Sequence, residues 1–146
     1  MTVAGVRLLL TTQPTQPDPE EIAALENPMD ALEVAGEPNT IEIRFAEDVP
    51  VDFQTIRDGK SFIVADADGT AVVGRIVRIP AENTVRWVGS VPLPGTVTLK
   101  GTGAQAIKSK SGESAAQNLD GEPRPALPSG NGRPGGDFTF KIARGG

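Results

Sequence analysis

The sequence predicts an all-β fold, an antiparallel sandwich of two sheets built from seven strands. Three observations predict it. Short runs recur in which apolar and polar residues alternate with a period of two. Gly, Pro, Asn and Asp separate those runs at short intervals. Finally, 17 Gly and 13 Pro among 146 residues make the chain rich in turns, yet short of low complexity. The length suits one domain, residues 1–146, with its own core.

The first strand is expected at Val6–Thr12 and the second at Thr40–Glu47, where Ile41, Ile43 and Phe45 share one face. Ser61–Ala65 offers Phe62 and Val64. Ala71–Ile79 is apolar with no clear phase, and Gly74 suggests a bulge inside it. In Thr84–Val88, Val85 and Trp87 point inward and Arg86 outward. Thr96–Lys100 supplies Val97 and Leu99, and Phe138–Ala143 supplies Phe138, Phe140 and Ile142. The connections fit: Asp66–Gly69 is a turn of the Asp-Gly kind, Ala81–Asn83 joins the next pair, and Val91–Gly95 is a proline-fixed crossover outside the sheets.

Two connections are long. The stretch 13–38 is an acidic, Pro-rich insertion. Within it Asp18-Pro19-Glu20-Glu21 reads as a helix start, which predicts one short helix near 19–26 packing Ile22 and Leu25 on the sandwich. The stretch 101–136 holds eight Gly and four Pro in 36 residues, and a loop of that length usually signals function or disorder.

Composition excludes much chemistry. Without His or Cys there is no imidazole or thiolate metal site, no disulfide and no Ser-His or Cys-His catalytic pair. A net charge of −5 argues against nucleic acid. No run approaches a membrane span, and Val3–Leu10, interrupted by Arg7, does not read as a secretory signal. Charge is split along the chain. Residues 1–50 carry ten acids and two bases, a net of −8, and residues 51–146 carry nine acids and twelve bases, a net of +3. Such a split orients a molecule against a neighbour or stacks copies head to tail, although solvated loop charge produces it too.

Three strings imitate functional motifs. Gly59-Lys60-Ser61 ends like a phosphate loop, but Gln54 stands where its first glycine belongs. Gly130–Gly135 has dinucleotide-fingerprint spacing with neither a strand before it nor a helix after it. Asp66-x-Asp68-Gly69 opens like a calcium loop whose twelfth position is Val77. The remaining candidate metal ligands are Asp120, Glu122 and Asp137, hard oxygen donors flanking the Gly-rich connection and suited to calcium. A glycosidase or glycan reading lacks a cleft aromatic, since Phe45, Phe53, Phe62, Trp87, Phe138 and Phe140 mostly take inward positions.

The order of pieces resembles a known family. Asn39–Asp52, Phe62–Val64, Asp68-Gly69, Val72–Gly74, Asn83–Trp87, Leu93–Leu99, Leu119-Asp120-Gly121 and Gly135–Ile142 follow the bacterial Ig-like domains first described in S-layer proteins. The likeness runs from about Val6 to Ile142 and departs at the long 13–38 insertion. It implies an Ig-like sandwich with Greek-key connections and no catalytic residues. It further implies a spacer, decoration or adaptor with protein partners, in a bacterial surface structure or a large assembly such as a phage-like particle. The implied location is extracellular or at the cell surface, or cytoplasmic before incorporation into a particle. The alternative is an adhesion module that binds calcium or glycan through 101–136. Neither reading involves a small-molecule substrate or an organic cofactor.

Overall fold

A computed structural model describes residues 1–110 and 116–145. Its strands are β1 (Val3–Leu10), β2 (Glu20–Ala24), β3 (Leu32–Val34), β4 (Thr40–Phe45), β5 (Val51–Asp52), β6 (Phe62–Asp66), β7 (Arg75–Ile79), β8 (Thr84–Val88), β9 (Gly95–Leu99), β10 (Lys108–Ser109) and β11 (Phe138–Arg144). The only helical elements among the described residues are single 3-10 turns, Phe53–Thr55 and Pro80–Glu82. One sheet runs β2-β1-β4-β8-β7 and the other β3-β11-β9-β6, while β5 and β10 form a separate pair. Leaving out β2 and β3 gives β1-β4-β8-β7 facing β11-β9-β6. That is the order A-B-E-D against G-F-C of a constant-type immunoglobulin sandwich, with its Greek-key crossovers between the sheets.

Each of the seven expected runs contains a strand, six of them with ends shifted by at most a few residues. Their inward residues meet in one cluster that holds Ile43, Trp87 and Phe140 together with Val6, Phe62 and Leu99. Each such side chain stabilises the fold by roughly 1.5–3 kcal/mol relative to exposure. This replaces the inter-sheet disulfide that the chain cannot make.

Three expectations are corrected. The segment near 19–26 is not a helix: Glu20–Ala24 is β2, an edge strand antiparallel to β1. Asn27-Pro28 cuts the segment short of a stable helix, and extending β1's sheet satisfies backbone groups that one isolated helical turn would leave open. Ile22 still packs on the core and Leu25 is buried, as expected, but from extended backbone.

Ala71–Ile79 is not a single strand either. Residues 70–72 pair back on β6, with Val72 N–H donating to Val64 O, and only Arg75–Ile79 joins the opposite sheet. Gly74 marks the crossing, where a Cβ would lie 2.2 Å from Trp87 Cε2. The unclear phase came from two strands on two sheets.

The connection Gly101–Gly136 has structure of its own. It contains β10, and Asn118 bridges to Lys108. The Asp66–Gly69 turn is as expected: Asp66 Oδ1 accepts from the N–H groups of Asp68 and Thr70, and Gly69 has φ +82.

Candidate functional site

The residues singled out for metal binding lie where the long connection folds back on the chain start. Gly121 N–H donates to Gly136 O and Asp120 N–H donates to Met1 O, so 119–122 is held between the N-terminal segment and the approach to β11. Asp120 is buried, 5% exposed. Its Oδ1 accepts from Asn131 N–H at 3.1 Å and its Oδ2 from Gly132 N–H at 3.0 Å. Glycine makes this possible: Gly130 has φ +116, and a Cβ there would stand 2.6 Å from Asp120 Oδ2. The Gly130–Gly135 run that imitates a nucleotide fingerprint is therefore a cradle of amides for Asp120. Ser129 Oγ completes the knot by donating to Asp120 O and accepting from Val3 N–H.

Asp137 is fastened separately. Its Oδ2 pairs with Lys100 Nζ at 2.7 Å, and its Oδ1 accepts from Gly101 N–H and the Thr102 hydroxyl. Partial burial opposes ionisation of Asp137. The donors from Lys100, Gly101 and Thr102 outweigh it and hold the carboxyl below the ordinary carboxylate range. Glu122 is exposed, with its carboxylate beside Gly136. Among the described residues no group of three or more acids is gathered for a metal ion. Asp120 and Asp137 thus point at donors on separate segments, not at one centre with Glu122.

Two outcomes follow. Because Asp137 titrates below its unfolded value, the unfolded chain binds more protons in that window. Its contribution is present above the unfolded pKa and is lost as pH falls through the folded one. Acid-unfolding curves of Asp137→Asn and wild type are expected to separate near neutrality, with wild type the more stable, and to approach one another as pH falls below the ordinary carboxylate range. For Asp120→Ala, which leaves the amides of Asn131 and Gly132 without their charged acceptor, the expected loss in urea denaturation is about 1.5–3 kcal/mol. Asp120→Asn, which keeps one acceptor oxygen, should lose less.

A second group of charges was not found from the sequence. Arg86, outward on β8 as expected, is 2% exposed and not solvated. Its Nε donates to Glu42 Oε2 at 2.9 Å, and its Nη1 donates to Pro14 O and Gln16 O. Glu42 Oε1 accepts from Arg7 Nε at 2.8 Å, and Arg7 reaches Glu21 at 3.5 Å. The hydrogen bond to Glu42 is the main reason the Arg7 pKa is raised; partial burial opposes it, and Glu21 adds to the rise. Four charges in a row thus fasten the start of the insertion and β2 across the outer face of the five-stranded sheet. The nearby recess of about 420 Å³, lined by Gly5, Arg7, Leu25, Glu42, Arg44 and Leu127, has part of this network as one wall.

Within the sandwich, Asp58 holds the one tryptophan. Its Oδ1 accepts from Trp87 Nε1 at 2.8 Å and its Oδ2 from Gly74 N–H at 3.2 Å. No helix among the described residues is long and apolar enough to cross a membrane. The protein-family models, the curated proteins and the solved structures compared with the chain gave no match.

Proposed function

We propose that this chain is a non-catalytic structural and interaction module: a spacer, decoration or adaptor within a bacterial surface structure or a large protein assembly such as a phage-like particle. One observation carries the reading. Two of the three candidate metal ligands, Asp120 and Asp137, serve as acceptors that tie loops to the sandwich, and the third, Glu122, is exposed and apart from them. The A-B-E-D against G-F-C order and the likeness to bacterial Ig-like domains support the same reading. On this view partners are proteins, contacted by the sheet edges and outer faces. The location is extracellular, at the cell surface or, before assembly, cytoplasmic.

The test is sedimentation of a gently lysed native source, with the chain followed by antibody after mild cross-linking. The reading expects the chain to travel with a large particle and to cross-link to protein neighbours. A chain that stays at the top of the gradient, free of neighbours in both the cell-surface and the soluble fractions, contradicts it.

A further inference from the structure

We infer that copies of this chain join head to tail, with β7 of one copy pairing beside β2 of the next to continue the five-stranded sheet. The inference deepens the interaction-module reading and rests on it. Its ground is the unequal finish of the four sheet edges. In the four-stranded sheet, the outer edge of β6 is covered by its own hairpin, through Thr70–Val72, and β3 is only three residues long. The five-stranded sheet ends in two five-residue strands, β2 and β7. Among the described residues, the backbone of β7 pairs with β8 alone and that of β2 with β1 alone. Open strand edges of this length are templates for a further strand.

Charge selects which strand that is. β2 begins Glu20-Glu21 after Asp18, within the acidic first third of the chain. β7 begins with the exposed Arg75, its second arginine, Arg78, being held by Phe53 O and Ile56 O, and the exposed apolar Val73 precedes it at 85% exposure. A β2–β2 or β7–β7 pair in parallel sets Glu20 against Glu20 or Arg75 against Arg75, and an antiparallel one leaves these charges opposite Ala24 or Ile79 without a counter-charge. Pairing β2 with β7 instead gives each an opposite charge. Opposite charges across adjacent strands are stabilising and like charges destabilising, so each edge is matched better by the other than by its own kind.

Direction agrees with charge. Successive strands from β2 to β7 are antiparallel, and an even number of steps separates the two edges, so β2 and β7 run the same way. Shifting a copy sideways along the sheet therefore brings β2 beside β7 in parallel, with Glu20 at the same end as Arg75. A contact between two different surfaces leaves one of each free on a pair of copies, so it adds copies past a dimer.

Analytical ultracentrifugation of the purified full chain over a concentration series, at low and high salt, tests this. The expected weight-average mass climbs with concentration past that of a dimer and falls as salt screens the edges. Glu20→Arg alone and Arg75→Glu alone should each weaken association roughly tenfold. The two together in one chain should restore it, because the edges again carry opposite signs. Both side chains are exposed, and circular dichroism with melting confirms that each variant is folded. A chain that is monomeric at every concentration, that stops at a dimer, or whose association ignores the single reversals or is not regained by the double one, overturns the edge pairing. These results leave the interaction-module reading to the sedimentation of the native source, so the two fail separately.

Discussion

Trp87→Ala is expected to lose about 3–5 kcal/mol of stability, a large part of the 5–15 kcal/mol typical of a domain. The side chain is fully buried in the cluster shared by both sheets, and the loss combines removed contacts with the cavity left behind. A polar cost adds to it, because Asp58 loses the indole donor it holds at 2.8 Å. The same site is sensitive to added volume. A Cβ at Gly74 would stand 2.2, 2.4 and 2.5 Å from three atoms of the indole ring, so Gly74→Ala forces Trp87 or the sheet crossing to move. Overpacking of this kind costs about 1–3 kcal/mol. Urea denaturation reads both variants. Losses below about 1 kcal/mol for Trp87→Ala would mean that the ring does not fill the interior.

Glu42→Leu is expected to cost about 3–5 kcal/mol, because it leaves the buried guanidinium of Arg86 without its carboxylate. The double variant Glu42→Leu with Arg86→Met should recover most of that loss, since an apolar pair of similar volume replaces a buried ion pair at little net cost. A loss in the double variant well below the sum of the two single losses, read from a double-mutant cycle, separates a true pair from two independent contacts. Arg86→Met also removes the donor to Pro14 O and Gln16 O, so the start of the insertion should become cleavable by limited proteolysis at lower protease concentration.

Five of the seven sandwich strands were legible by phase because one face of each meets the core and the other does not. Burial on one face writes a period of two, and Ile41-Glu42-Ile43-Arg44-Phe45 shows it without help from any distant residue. What was illegible depends on distant neighbours. Asp18-Pro19-Glu20-Glu21 has the local chemistry of a helix start, and only the open edge of β1 turns it into a strand. Arg86 reads as solvated because an outward position looks the same whether water or residues 14–16 cover it, some seventy positions away in sequence. Ala71–Ile79 lost its phase because its two halves belong to different sheets.

The acids of the long connection were legible as unusual but not as partners. Asp120 stood out as an acid in a Gly-rich stretch. Its ligands are the backbone amides of Asn131 and Gly132, which leave no mark of their own in the sequence. The nearest signal is the glycine spacing at 130 and 132, positions whose positive φ turns successive amides toward one point. Asp58 carried no signal at all, being one acid between two strands until the fold sets it under Trp87.

Amide hydrogen exchange of the intact chain, with and without millimolar calcium, bears most directly on whether these acids fasten the loop or await an ion. The amides of Asn131 and Gly132 are expected to be protected in calcium-free buffer, since the Asp120 carboxylate already accepts from both, and adding calcium should leave their rates unchanged. Amides that exchange freely without calcium and become protected only when it is added would contradict the account. They would return Asp120 to the role of a metal ligand.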